Sequence, residues 1–187
     1  YESIDSDGKH VGIVSDFMKL ISNQLQIQFN LIKTESWDKS IEQFNTKKAD
    51  IISSSIKFNH FNNAIFSHKY MSSPFAIVMR ENSQYVESIS QIIGKKITLI
   101  EGYDSPEALI IKYPQQEFTI VPTISIGLED LYTGQTDVLI GILSQVNYNI
   151  SENGFDNLRV VGTTPYKIQL GFAVQPELSP LIAIINK

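Results

Sequence analysis

Cysteine is absent from this 187-residue sequence, which excludes disulfide frameworks, thiolate catalysis and cysteine-ligated zinc. Arginine is scarce, with only Arg80 and Arg159, and the net charge is -5. That balance argues against binding to a nucleic-acid backbone. No run approaches the ~20 apolar residues that a membrane-spanning helix needs, and no signal peptide opens the chain. The hydrophobic content of 42% is sufficient for a globular core.

The two ends of the sequence suggest an excised segment. The chain opens at Tyr1-Glu2-Ser3 without a preceding strand, and it stops at Ile185-Asn186-Lys187 within a helix-like pattern. We therefore draw nothing against export from the missing signal peptide.

Helix and strand patterns alternate in the first third of the chain. After a turn at Asp5-Ser6-Asp7-Gly8, Ser15 is placed to cap a helix with apolar residues at helical spacing up to Leu25. Residues 27–31 alternate like a strand, Trp37 to Phe44 have helical spacing, and a buried strand follows Asp50. This order favours an α/β layer with a parallel sheet.

A second round of alternating elements follows, beginning after Gly94. The patterns predict strands at 76–79, 97–100, 118–121, 137–140, 158–161 and 170–174, and helices after Gly102, at 124–132, near 143–150 and at 178–187. Each round ends in a helix, an Ala-Asp or Thr-Asp pair and an apolar strand. We expect two lobes, the first comprising residues 1–78 plus 175–187 and the second 79–174, with crossings near 76–80 and 170–174.

The order of these landmarks resembles the extracellular solute-binding proteins of family 3. The matching pieces, spread over nearly the whole chain, are Gly12-Ile13-Val14-Ser15-Asp16-Phe17, Ser36-Trp37-Asp38, Lys48-Ala49-Asp50-Ile51-Ile52, Phe66-Ser67-His68-Lys69-Tyr70, Gly94-Lys95-Lys96-Ile97, Glu101-Gly102-Tyr103, Gly134-Gln135-Thr136-Asp137-Val138 and Leu170-Gly171-Phe172-Ala173-Val174. Three features resemble the sensor branch of the family, in which such domains precede a histidine kinase or a diguanylate cyclase. They are the Trp37 segment, Gly102-Tyr103 and the ending from Gly162-Thr163-Thr164-Pro165-Tyr166.

The resemblance implies an α/β, two-lobed periplasmic-binding-protein-like (type II) fold on a two-strand hinge, without the first strand that normally precedes Tyr1. It implies a non-enzymatic, extracytoplasmic sensory input domain that closes on a small molecule. The expected partners are that ligand and the adjacent domains of a membrane-anchored signalling protein. The expected location is periplasmic or extracellular, and no cofactor or metal is expected.

The ligand-binding residues are expected near the carboxyl ends of the strands, where sheets of this kind place ligands. Serine hydroxyls after the first-lobe strand can donate hydrogen bonds, and free N–H groups at the helix start after Gly102 favour an anion. The predicted cleft residues are Ser54, Ser55, Lys57, Tyr70 and Ser72 from the first lobe and Gly102, Tyr103, Asp104, Gly141 and Tyr166 from the second.

Two departures from the family pattern argue against a standard amino-acid ligand. Amino-acid binders of the family carry an Arg soon after the first-lobe strand, but residues 53–70 contain none. Those binders also carry an Asp after the second-lobe strand, whereas residues 138–151 contain no Asp or Glu. Without these partners for an α-carboxylate and an α-ammonium, we expect a ligand other than a standard amino acid, and Lys57 or His60 is available to an anion as a point charge.

Three alternatives stay open at this point. The second hypothesis, after the sensory domain, is a free solute receptor for an ABC importer. A cyclohexadienyl-dehydratase-like enzyme would need an acid–base pair, which only Glu101 and Asp104 offer. A metal site at His60 and His68 lacks a matched carboxylate.

Overall fold

The computed structural model describes residues 2–4, 7–56, 60–102 and 104–186, and for 2–4 and 104–107 the backbone alone. Its strands are β1 (Glu2–Ile4), β2 (His10–Gly12), β3 (Ile51–Ser55), β4 (Ile65–Phe66), β5 (Met71–Arg80), β6 (Ile97–Ile100), β7 (Phe118–Val121), β8 (Val138–Ile142) and β9 (Leu158–Val174). Its α-helices are α1 (Ile13–Leu25), α2 (Trp37–Asn45), α3 (Asp104–Lys112), α4 (Ile124–Thr133), α5 (Leu143–Asn153) and α6 (Ser179–Ile185), with short 3-10 helices at Ile89–Ile92 and Pro176–Leu178.

The chain divides into two compact units, which are Tyr1–Met71 with Leu170–Lys187 and Ser72–Gln169. The chain passes between them at the start of β5 and within β9. In hydrogen-bonding order the main strands run β3-β9-β5-β8-β6-β7, and β4 also pairs with β9. The lobe boundaries expected from the sequence stay a prediction.

The first unit contains an antiparallel hairpin, β1–β2, in which Ile4 lies opposite His10. Both β3 and β4 pair antiparallel with the end of β9. The parallel sheet predicted for this part of the chain is therefore wrong for the pairings that the structure describes. The core of the unit packs α1 against β9 through Val14, Ile21 and Phe172.

Two local predictions in the first unit are also wrong. Ser15 does not cap α1, because the helix begins at Ile13 and the Ser15 hydroxyl donates to the His10 carbonyl at 2.7 Å. Residues 27–31 form no strand, since no described strand pairs with them, and Ile27 and Leu31 are 41% and 47% exposed. Ser36, by contrast, caps α2 by accepting a hydrogen bond from the Lys39 N–H.

The second unit is the better match to the predicted α/β pattern. Strands β7, β6 and β8 are parallel, and β5 joins β8 in antiparallel register, with Ala76 opposite Gly141. Helices α4 and α5 cover β8, and the core is formed by the buried residues Ala76, Val78, Ile100, Val121, Leu128, Leu131, Leu139, Val146 and Leu158. The strands predicted separately at 158–161 and 170–174 are one strand, β9.

Candidate functional site

The serines predicted in the first unit lie within β3, not beyond its end. Ser53, Ser54 and Ser55 pair with Phe172, Gly171 and Leu170 of β9. Because successive side chains of a strand point to opposite faces, Ser53 and Ser55 share one face and Ser54 has the other. Ser54 and Ser55 therefore cannot both contact one ligand through their hydroxyls from a common face.

Ser54 is the more buried of the two predicted serines. It is 3% exposed, and its Oγ makes no hydrogen bond with any described part of the chain. A buried hydroxyl without a partner costs about 1–3 kcal/mol. Ser55 is half-buried on the opposite face.

Tyr70 is held in place by aromatic contacts and by one hydrogen bond. Its ring stacks on Phe172 with centroids 4.8 Å apart and lies 4.9 Å from the Phe17 ring at a tilted angle. Its hydroxyl lies 2.6 Å from the Ser53 Oγ. Sequence reasoning missed Ser53 and Phe17 as partners of Tyr70, because tertiary packing of β3, α1 and β9 brings these distant residues together.

The remaining residues predicted for the first lobe are Lys57 and Ser72. Lys57 lies outside the described residues. Ser72 is exposed, follows the first residue of β5, and is the first residue of the second unit.

The turn between β6 and α3 carries three predicted residues of the second unit. Gly102 is exposed with φ of 78°, a conformation that favours glycine, and an added Cβ would meet no atom within 4 Å. Asp104 is the first residue of α3, so the turn leads directly into a helix N-terminus, whose free N–H groups favour an anion. Tyr103 lies outside the described residues.

Gly141 is a buried residue inside β8 and does not lie past the strand end. A Cβ at this position would lie 3.1 Å from Ile124 Cδ1 and 3.2 Å from Val146 Cγ2. This packing of α4 and α5 against the strand accounts for the glycine. Gly141 could contact a ligand only through its backbone, and that backbone lies opposite Ala76 in the pairing of β5 with β8.

Tyr166 lies in β9 and is half-buried. Its backbone N–H donates to the Thr164 Oγ1 at 3.2 Å. Thr164 is itself buried, with 4% exposure. The local backbone around Tyr166 is thus fixed by a side-chain hydroxyl two residues earlier.

Shifted pKa values occur at exposed ion pairs of the first unit. The hydrogen bond and charge of Lys39 lower the pKa of Glu42, while the same contact raises the pKa of Lys39. The hydrogen bond from Lys47 lowers the pKa of Glu177. These carboxylates stabilise local surface structure and lie on none of the elements that carry the predicted site.

Among the described residues, no group of three or more His, Asp or Glu side chains is arranged to hold a metal ion. Among the same residues, no helix combines the length and apolarity needed to cross a membrane.

The whole chain, residues 1–187, matches the model for bacterial extracellular solute-binding proteins, family 3, and the protein belongs to this family. The virulence sensor protein BvgS of Bordetella pertussis is 23% identical over 182 residues, which is 95% of this chain and 14% of BvgS. The sensor protein EvgS of Escherichia coli (strain K12) is 22% identical over 187 residues, which is 97% of this chain and 16% of EvgS. This chain thus spans about a seventh of the length of these curated relatives.

Solved structures establish the fold class. A histidine kinase sensor domain with similarity to periplasmic binding proteins superposes with a TM-score of 0.86 at 21% identity, covering 100% of this chain and 82% of that one. The arginine-bound form of ArgBP from T. maritima gives a TM-score of 0.79 at 22% identity, covering 100% of this chain and 87% of that one. The α/β, periplasmic-binding-protein-like fold predicted from the sequence is confirmed.

Proposed function

We propose that this chain is the extracytoplasmic sensory input domain of a membrane-anchored signalling protein and that it binds a small molecule. The observation that carries the proposal is the alignment of 95% of the chain with BvgS, a sensor protein. The likeness to a histidine kinase sensor domain supports it independently through the fold. The proposed location is the periplasm, next to the other domains of an inner-membrane protein.

The proposed mechanism is closure of two lobes on the ligand. A ligand that contacts both lobes binds the closed state more tightly and shifts the population toward it. In this proposal Ser55 and Tyr70 contribute hydroxyls from the first unit, and the Gly102 turn contributes N–H groups from the second. Lys57, Ser72, Tyr103, Asp104 and Tyr166 complete the proposed set. Ser54 and Gly141 are left out of it, because Ser54 lies on the opposite face of β3 from Ser55 and Gly141 is buried within β8.

The chemistry of these groups favours an anionic ligand other than a standard amino acid. The N-terminal end of α3 suits an anion because the N–H groups of its first turn lack helical partners. The Arg and Asp that grip an amino acid in the family are both missing from the segments 53–70 and 138–151. Each such desolvated charged contact is worth about 2–5 kcal/mol, so losing both costs several powers of ten in affinity.

The proposed role is binding without turnover. A dehydratase-like reaction would require Glu101 and Asp104 to act as an acid–base pair, and Glu101 is exposed on the turn after β6. Incubation with prephenate or arogenate should leave both compounds unchanged.

A second candidate is a free solute receptor that delivers its ligand to an importer. It is favoured by the likeness to ArgBP, whose structure contains arginine. The sequence of the full gene separates the two candidates, since a sensor continues into a membrane span and an output domain.

The proposed function is tested by a thermal-shift screen of a metabolite library, with hits verified by native mass spectrometry. We expect a one-to-one complex with an anionic metabolite and no submicromolar binding of any standard L-amino acid, arginine included. Tyr70→Phe with Ser53→Ala, and separately Gly102→Val, should each weaken the verified ligand by about tenfold or more. Glu152→Gln, at an exposed position of α5, is the matched control. Tight arginine binding, or site variants that bind as well as the control, would contradict the proposal.

A further inference from the structure

The second unit contains a recess away from the Gly102 turn of the predicted ligand site. Its wall at Thr164 and Pro165 adjoins the predicted residue Tyr166. The recess has a volume of about 420 Å³ and is lined from three directions. The segment around Glu87 forms one wall, Lys112 and Tyr113 at the end of α3 form another, and Thr163 in β9 contributes the third. The proposed site at Gly102 lies just before α3. Lys112 is the last of the nine residues of α3 and lies roughly 12 Å along the helix axis from the first.

The Glu87 wall is fixed against β9 by backbone contacts. The Val86 N–H donates to the Val161 carbonyl at 2.8 Å. A Cβ on Gly162 would lie 2.1 Å from the Val86 carbonyl oxygen, so only glycine permits this approach. The recess therefore depends on a close contact that the Gly162 position makes possible.

A capping box holds the same wall in position. The Gln91 Oε1 accepts hydrogen bonds from the N–H groups of Glu87 and Ser88, at 2.7 and 3.2 Å. The Ser88 side chain in turn accepts from the Gln91 backbone. Beneath them, Ile89 is 3% exposed and anchors the segment in the core. The backbone that carries the Glu87 carboxylate is thus constrained from both sides.

Opposite charges line this recess without neutralising each other. The Lys112 ammonium lies 5.6 Å from the centroid of the Tyr113 ring. Among the described residues, neither Lys112 nor Glu87 forms an ion pair. A small molecule with one carboxylate and one ammonium offers each side chain a partner of opposite charge.

We propose that this recess is a second binding site and that it takes small dipolar molecules of the amino-acid type. The carboxylate of the ligand faces Lys112, its ammonium faces Glu87, and its methylene chain lies between Tyr113 and Pro165. The volume lies within the range of about 300–1,000 Å³ typical of small-molecule sites. Both charged groups are exposed, so the expected affinity is millimolar and falls with added salt. The inference does not rest on the proposed function.

The test is an NMR titration of the 187-residue chain with δ-aminovalerate, with valerate and n-butylamine as single-charge controls. We expect saturable shifts of the Ser88, Tyr113 and Thr163 amide signals with δ-aminovalerate and weaker ones with either control. Lys112→Gln and Glu87→Gln should each weaken the binding by about fivefold, while Lys112→Arg keeps it.

Three outcomes overturn the proposal. The first is the absence of saturable shifts in the recess at millimolar δ-aminovalerate. The second is equal binding of valerate or n-butylamine, which would show that one charge suffices. The third is a set of shifts confined to Tyr70 and Gly102, which would assign the binding to the other site and leave the proposed function standing.

Discussion

At the scale of single residues, Gly162 has the least room for a side chain among the glycines whose surroundings the structure describes. Alanine there would bring a Cβ to 2.1 Å from the backbone oxygen of Val86, which cannot rotate away. Forcing β9 and the Val86 segment apart would break the hydrogen bond between Val86 and Val161. We expect Gly162→Ala to lower the free energy of unfolding by about 3 kcal/mol, measured by urea denaturation.

Gly154 provides the matched control. It ends α5 with φ of 64°, and an added Cβ would meet no atom within 4 Å. Gly154→Ala should cost about 1 kcal/mol, from the left-handed backbone alone. Equal costs for the two variants would contradict the close approach seen at Gly162.

Residue identity alone could single out Tyr70 and Gly102 as candidate site residues but could not orient the serines. A glycine between a strand and a helix indicates a positive φ, and the structure has φ of 78° at Gly102. Whether Ser53, Ser54 or Ser55 faces outward depends on the pairing with β9. That pairing joins segments more than a hundred residues apart, and a shift of one residue would exchange the faces.

At the scale of elements, β9 and the segment at 27–31 show where local patterns fail. The run Gly162-Thr163-Thr164-Pro165 is typical of a turn, yet it lies inside a 17-residue strand. The alternation at 27–31 is typical of a strand, but a strand also requires a hydrogen-bonding neighbour, and no described strand supplies one. Helices α2 and α4, which are fixed by near-neighbour contacts, follow the sequence prediction closely. Strand β6 does so too, although its partners β7 and β8 lie further along the chain.

Helix α2 carries an ion pair that gives its stability a pH dependence. The Lys39 Nζ lies 2.7 Å from the Glu42 Oε2. Because this contact lowers the pKa of Glu42, its contribution is present above the pKa of an unfolded glutamate and is lost as the pH falls through the folded value. The raised pKa of Lys39 gives a contribution that is present below the pKa of an unfolded lysine and is lost as the pH rises through the folded value.

We expect Glu42→Gln to lower the melting temperature slightly at neutral pH, because it removes the charge from an exposed pair. The difference from the parent protein should shrink in acid, in strong alkali and at high salt. Thermal melts at a series of pH values measure the difference in melting temperature between Glu42→Gln and the parent protein, with Glu152→Gln on α5 as the control. A difference that stays constant from acid to neutral pH would contradict the assignment to this ion pair.

At the scale of the whole molecule, family membership follows from the full-length match, while the ligand depends on a few positions. The sequence predicted the α/β class because hydrophobic periodicity reports layers and elements. It could not predict that the first unit is antiparallel, since β3 and β4 pair with a strand at the far end of the chain. Binding chemistry is equally non-local, because the proposed ligand contacts come from both units.

If the domain closes on its ligand as proposed, binding changes the arrangement of the two units, and a distance between two labels measures that change. The sequence lacks cysteine, so Asn23→Cys in α1 and Glu152→Cys in α5, both at exposed positions, carry spin labels at defined sites. Pulsed electron–electron double resonance then measures the distribution of distances between the two labels with and without the verified ligand. We expect a second, ligand-dependent distance population that grows with saturation. A ligand that binds one-to-one and leaves the distribution unchanged would contradict it.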